Sequence, residues 1–480
     1  MQKAGAAMAR LTAWHDLRVR SRVEGKMDNS KSQLGTAPLG SLMLKLVLPS
    51  IVAQVINILY NIIDRIYIGH IDSAASLALT GVGICFPIIT LVSAFSLFAG
   101  AGGAPLAAIE LGKSEHDKNA KSRAESILGN AVILLVAFAV LLTVIFQIFM
   151  RPVLMAFGAS EATIPYAQDY LRIYMAGTIF VQLSIGLNPF INAQGFAGTA
   201  MLSIVIGAVA NIILDPVFIF VFDMGVKGAA VATVISQAIS TVWIVIFLCS
   251  KKSSLRISPA ILKFKPAVAA KISALGLSPF IMSATESAIS VVFNTGLQKF
   301  GGDIYVGAMT IMQSLMQVCY IPIQGFTDGV QPIVSYNYGA GNLKRVRTTI
   351  KRMIYISFAA SVAAAVIILA FPKTFVSIFT SDAQLISLAV SLMPVYFGAV
   401  WIFGVQMAAQ RTFVALGRAK TSIFVALLRK VILLIPLALV LPHFMGVNGI
   451  FWSEPIASTT SAVTSFVLFL VCYSSLKDKK

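Results

Sequence analysis

The repetition of long apolar runs constrains this chain more than any other feature. About twelve follow one another, centred near Ile56, Ile88, Val136, Phe180, Val209, Ala238, Ala288, Gln317, Ala360, Ala399, Leu428 and Phe466. A helix needs about twenty apolar residues to cross the hydrocarbon of a bilayer. Lipid offers backbone polar groups no partner, so such runs must bond internally and fold as helices. Only 12% of the 480 residues are charged, about half the share in a soluble chain. The predicted fold class is therefore an all-α integral membrane protein of about twelve transmembrane helices.

Lys and Arg outnumber Asp and Glu by 37 to 19. Such an excess can mark a nucleic-acid binder, but here the cations sit in short clusters between apolar runs. They follow the second run (Lys113, Lys118, Lys121, Arg123), the sixth (Lys251 to Lys271), the eighth (Lys344, Arg345, Arg347, Lys351, Arg352) and the tenth (Arg418, Lys420). The loops between carry isolated cations such as Arg151 or Lys227. This alternation is positive-inside topology: it places both termini in the cytoplasm, makes the span count even, and leaves no role for nucleic acid. Residues 1–40 read as a basic, partly disordered cytoplasmic tail, in which Met27 would serve equally well as a start. Cys85, Cys249, Cys319 and Cys472 lack metal or redox spacing and read as packed thiols.

The runs form two similar sets. Gly102, Pro105 and Gly112 recur with the same separations as Gly329, Pro332 and Gly339, and Met224 to Gly228 is echoed by Met445 to Gly449. Pro49 precedes Asp64 by the same distance as Pro279 precedes Asn294. A duplicated six-span unit follows: one bundle over 41–250, a basic linker over 251–271, a second bundle over 272–475 and a short tail over 476–480. Six spans return the chain to its starting side, so the copies are parallel and related by a pseudo-two-fold along the membrane normal, with a central cleft between them.

Polar residues inside the runs mark the functional candidates. Along LPSIVAQVINILYNIIDRIYIGH, Gln54, Asn57, Asn61 and Asp64 recur at helical spacing on one face. An intramembrane carboxylate costs about 2.5 to 3.5 kcal/mol, so this face turns toward protein or a wet cavity. Pro49 makes the same helix easier to bend, a candidate hinge. In NIILDPVFIF, Asn211 and Asp215 are one turn apart, and Ala229, Thr233 and Gln237 share a face of the next run. Two carboxylates, an amide and a hydroxyl suit a hard cation such as Na⁺; alternatively, the close acids share a proton. In the second copy Asp64 maps to Asn294, Asp215 to about Leu434 and Thr233 to about Glu454, so the acidic pair is absent. Glu286, Arg429, Lys430 and Glu454 are expected to form ion pairs there, near Asp328.

Together, the proline-bent first helix ending in Asp64, the Asn211/Asp215 pair, MGVKGAAVAT and QGFTDGVQPIVSYNYGAGN resemble the multidrug and toxic compound extrusion (MATE) family, in particular its bacterial MepA and DinF-like branch. The resemblance covers about Ser41 to Tyr473. It implies two six-helix bundles around a V-shaped cleft in a bacterial inner membrane, antiporting Na⁺ or H⁺ against small lipophilic, often cationic, drugs, as a monomer and without a cofactor. Carried over, its cation site falls on Asp64, Asn211, Asp215 and Thr233, the four residues that would hold Na⁺, with the Ala229 carbonyl as a further ligand. Gln54, Asn57, Asn61 and Glu286 would line the substrate cleft. The alternative is a lipid-precursor flippase of the same superfamily, which would need a more cationic cleft for pyrophosphate. An enzyme is not expected: His15, His70, His116 and His443 form no paired-ligand motif, and no Walker loop is present.

Overall fold

The computed structural model describes residues 33–68, 71 and 75–476; the side chains of 61, 62, 65, 75, 76, 78, 79, 287 and 303 lie outside the described set. Most of the basic tail, the side chain of Asn61 and residues 477–480 therefore fall outside it. The first half comprises α1 (Leu39–Ile68), α2 (Ala75–Lys113), α3 (Ala120–Ala156), α4 (Ile164–Ala176), α5 (Thr178–Ala193), α6 (Ala197–Pro216) and α7 (Gly225–Cys249). The second comprises α8 (Pro266–Gly301), α9 (Asp303–Gly339), α10 (Leu343–Ala370), short α11 (Pro372–Ser377), α12 (Ala383–Tyr396), α13 (Val400–Ala415), α14 (Ala419–Leu427), α15 (Ile435–Val440), α16 (Pro442–Met445) and α17 (Asn448–Ser474). Among the described residues there is no strand.

Ten helical segments among the described residues are long and apolar enough to cross a membrane, and twelve when two bent pairs count as one span each. The bends, 59° between α4 and α5 and 52° between α12 and α13, were not expected from the sequence. The first falls at Gly177, where a Cβ would lie 2.4 Å from Val234 of α7, so only glycine admits that approach. The second follows Pro394, which withdraws a donor from the last turn of α12. A π turn also occurs in each half, over Val217–Val221 beyond α6 and Leu428–Leu434 beyond α14.

Packing explains how the halves meet. One buried cluster draws on both, joining Leu46 and Val47 of α1, Ala107 and Leu111 of α2, Ile272 of α8 and Val330 and Ile333 of α9. It lies toward the loops rich in Lys and Arg. Away from them the core divides: one cluster belongs to the first half alone, around Ile68, Val82 and Tyr170, and another to the second, around Phe293, Met312 and Phe451. The bundles thus touch on the basic side and part on the other, which is the V.

The seam is built on glycine. A Cβ on Gly112 would lie 2.0 Å from the Tyr336 carbonyl oxygen, and one on Gly339 would lie 1.9 Å from that of Ile109. These contacts are repeat partners, so the pseudo-two-fold passes between the basic-side ends of α2 and α9. Gly102 packs likewise on the backbone of Gly276, and Gly329 on that of Leu46 and Val47. Hydrogen bonds close the same end: Tyr336 Oη donates to Glu115 at 2.9 Å, Asn337 Nδ2 to the Leu34 carbonyl at 2.8 Å and Arg345 to the Ala37 carbonyl at 2.6 Å. The chain is therefore ordered ahead of residue 41, with 33–36 helical and Leu34 buried against both halves. The expected linker is docked as well. Gln194 Oε1 accepts from Ser253 Oγ and the amides of Ser254 and Leu255, and Asn130 Oδ1 accepts from the Lys265 amide.

Gly339→Val should lower stability by about 1 to 3 kcal/mol, the cost of overpacking a tight contact. Gly198→Ala, whose Cβ meets nothing within 4 Å, should stay within about 0.5 kcal/mol. Thermal unfolding of the purified protein in detergent reads both.

Candidate functional site

In the first half the predicted acids come together. Asp64 approaches the end of α1, and Asn211 and Asp215 sit on adjoining α6; all three are buried. Asp64 and Asp215 are close enough for each to feel the other's charge. Asn211 Nδ2 donates to Asp215 Oδ1 at 3.0 Å. The remaining oxygens, Asn211 Oδ1 and Asp215 Oδ2, are buried acceptors with no hydrogen-bond partner. Buried acceptors are nearly always satisfied in native proteins, so two such oxygens beside a second carboxylate fit a small cation or a proton.

The other expected ligands stand differently. Thr233 Oγ1 donates to the Ala229 carbonyl at 2.9 Å, which with the helical amide bond engages both lone pairs of that carbonyl. The Tyr170 hydroxyl lies near Thr233 and within electrostatic reach of Asp64. Tyr170 stacks on Tyr174 with centroids 6.1 Å apart. These tyrosines were missed from the sequence; the available signal was two phenols one turn apart on the apolar face of IPYAQDYLRIYMA. Gln237 turns away and accepts from Ser184 Oγ. Gln54 reaches the other bundle, where its side chain lies near Asp328 on α9. Asn57 is exposed on α1. Pro49 lies within an α1 that stays helical throughout, between Val47 and Ile51, which contact Gly329 and Gly325 across the seam.

The second half holds the opposite arrangement. Asn294, the repeat partner of Asp64, is exposed beside a shallow hollow of about 510 Å³. The expected ion pairs form: Arg429 with Glu454 at 2.9 Å and Lys430 with Glu286 at 2.5 Å. A third pair, Arg411 with Asp328 at 2.7 Å, was missed because Arg411 was not singled out. Ser458 donates to Glu454, and the Arg429 guanidinium lies 5.1 Å from the Phe403 ring centroid.

The sequence pattern of the MatE family matches residues 49–217 and again 279–440, two segments that begin at the repeat-related prolines Pro49 and Pro279. The chain belongs to the MATE family. Among curated MATE proteins it is 27% identical to the multidrug export protein MepA of Staphylococcus haemolyticus, over 90% of this chain and 93% of that one. It is 23% identical to MepA of Staphylococcus aureus over 90% and 94%. Among solved structures, the MATE multidrug transporter DinF-BH superposes with a TM-score of 0.83 at 32% identity, covering 91% of this chain and 96% of that one. A MATE protein crystallised in a bent conformation gives 0.85 at 22% identity, over 93% and 98%. The chain is thus a multi-pass MATE membrane protein with the family's architecture.

Within this MATE site, Asn211→Ala should cost about 1 to 3 kcal/mol, the cost of leaving a buried carboxylate oxygen without its donor, here Asp215 Oδ1. In an Asp215→Ala background the same change should cost less, since the bond is already gone. Unfolding of the two single variants and the double variant checks this.

Proposed function

We propose that this chain is a secondary active multidrug efflux transporter that exchanges Na⁺ or H⁺ for small lipophilic, often cationic, drugs by alternating access. The observation that carries this reading is the pair of unpartnered buried oxygens on Asn211 and Asp215 beside the Asp64 carboxylate. The names of the MepA and DinF-BH relatives support the drug-export side of it. The moving bodies are residues 41–250 and 272–475, joined by 251–271. The basic side, with both termini, faces the cytoplasm of a bacterial inner membrane, so the V opens outward.

The coupling ion is a transported species. Entering from outside, it reaches Asp64, Asn211, Asp215 and Thr233, with the Ala229 carbonyl as a further ligand for Na⁺ once Thr233 Oγ1 lets go of it, and relieves the repulsion between the two acids. Helix α1 transmits the change. Its far end carries Asp64, its middle carries Gln54 beside Asp328, and its basic-side half carries Val47 and Ile51 on the glycines of α9. Pro49 lies between those two seam residues, where a lost backbone bond lets α1 pivot without tearing the contact. Drug release outward and ion release inward then alternate. A monovalent cation crossing 100 mV supplies about 2.3 kcal/mol, equivalent to about a fiftyfold drug gradient.

Arg411, Arg429 and Lys430 of the second bundle are each matched to an acid, which leaves these three no surplus positive charge for a pyrophosphate and disfavours lipid-precursor flipping. In proteoliposomes given separate Na⁺ and pH gradients, one of the two should drive concentrative ethidium transport. Asp64→Asn and Asp215→Asn should each reduce that transport to the leak rate while equilibrium ethidium binding changes less than about threefold. Gradient-driven accumulation by either variant would overturn the assignment. Pro49→Ala should slow turnover without altering equilibrium binding.

A further inference from the structure

We propose that Lys430 is a built-in competitor for Glu286: a substrate cation binds this carboxylate by displacing the Lys430 ammonium into an adjacent cavity walled by Gln406, Gln410 and Arg429. The inference rests on the drug-export reading above and adds to it the residue that sets charge selectivity.

The three ion pairs described in the second bundle are unequal. In Arg429 and Glu454 both side chains are buried, at 8% and 9% exposure, and in Arg411 and Asp328 both are largely so, at 19% and 25%. In the third pair Lys430 is 9% exposed but Glu286 is 61% exposed. Glu286 also acts electrostatically on Tyr320 of α9 and Tyr396 of α12, so it lies toward the bundle rather than the lipid. A carboxylate in that position would attract an organic cation, except that an ammonium already holds it. Lysine suits a displaceable partner because its charge is a point on a flexible stem, whereas Arg429 is held by Glu454 and lies against the Phe403 ring.

A displaced ammonium needs somewhere to go, since a buried charge without partners is costly. The cavity beside Lys430 is lined by Gln406, Gln410 and Arg429 together with Met282 and Met407. Its free space of about 10 Å³ is that of one water-sized group, which an ammonium matches. The Gln410 amide is fixed in orientation, because Nε2 donates to the Ser422 carbonyl at 3.1 Å and to Ser278 Oγ at 2.7 Å. Its Oε1 is left as a buried acceptor without a partner, and so is Oε1 of Gln406, whose Nε2 donates to Ser461. Two carbonyl oxygens one helical turn apart, both without donors, form a berth for a cationic donor. The neighbouring Arg429 is neutralised by Glu454 and does not oppose it. Lys430 therefore has two positions, one on Glu286 and one on the glutamines, and a substrate cation selects the second.

The test is equilibrium binding of ethidium, a monocation, and of Nile red, a neutral dye, to the full chain in nanodiscs with no ion gradient. Lys430→Gln should tighten ethidium about fivefold or more and leave Nile red within about twofold, because only the cation competes with the ammonium. In a Glu286→Gln background the same change should have no effect on either dye. Gln410→Met, which removes an acceptor from the berth, should weaken ethidium alone; this keeps the proposal testable if Lys430→Gln does not fold. Equal affinities for ethidium in wild type and Lys430→Gln, or parallel shifts for both dyes, overturn it. Wild-type protein that binds neither dye overturns the export reading and this inference together, whereas binding that ignores Lys430 sinks the inference alone.

Discussion

Backbone contact across the seam between the two bundles fixes the rest of the structure. Gly102, Gly112, Gly329 and Gly339 let α2 and α9 approach neighbouring helices more closely than any side chain would allow. Lipid provides little hydrophobic drive for helices to associate, so close packing of small residues must supply it. Because these glycines lie toward one end, the halves are joined there and free to separate at the other. The buried acids of α1 and α6 fall in the part of the first bundle that stands apart from the second. In the proposed cycle, that position relative to the seam is what would convert a local change of charge into a change of angle.

The repeats share a backbone plan but resolve buried charge in opposite ways. In the second bundle three acids meet three cations of the same bundle, and the account closes internally. In the first, Asp64 and Asp215 face each other, and an Asp215 oxygen is left without a donor. A charge in a low-dielectric site has to be matched by something. The unpartnered Asp215 oxygen is what supports the proposed coupling in the first half rather than the second.

The parts legible in the sequence were those that periodicity encodes. Apolar runs gave the spans, repeated glycine and proline spacings gave the duplication, and the four-residue step from Asn211 to Asp215 gave their shared face. Contacts between distant elements were not encoded in that way. Gln54 reads as a cleft residue because its helix face is polar, and its nearness to Asp328 of the other bundle was not legible. Tyr170 lies in an ordinary amphipathic segment, and what brings it to the site is its nearness to Asp64 and Thr233 on helices far along the chain. The need for glycine at the bend, residue 177, is set by the close approach of Val234, also remote in sequence. The acceptors on Gln406 and Gln410 became visible only when their donors elsewhere had been counted.

A π turn serves the closed network of the second bundle. Adjacent residues of an α-helix diverge by about 100°, and a π turn inserts an extra residue that shifts the directions of those around it, often at functional sites. Beyond α14 the turn carries Arg429 and Lys430, consecutive in sequence, and delivers one to Glu454 on α17 and the other to Glu286 on α8. The π turn of the first bundle does not occupy the matching place: by the spacing that pairs Asp215 with Leu434 it falls about two helical turns further along, after Asp215 and Pro216, and carries only apolar residues, Val217 to Val221. On that spacing Arg429 and Lys430 correspond to Ala210 and Asn211, which lie in the regular helix α6. A methyl and an amide therefore stand where the second bundle carries two cations, and the amide donates to Asp215 rather than neutralising it.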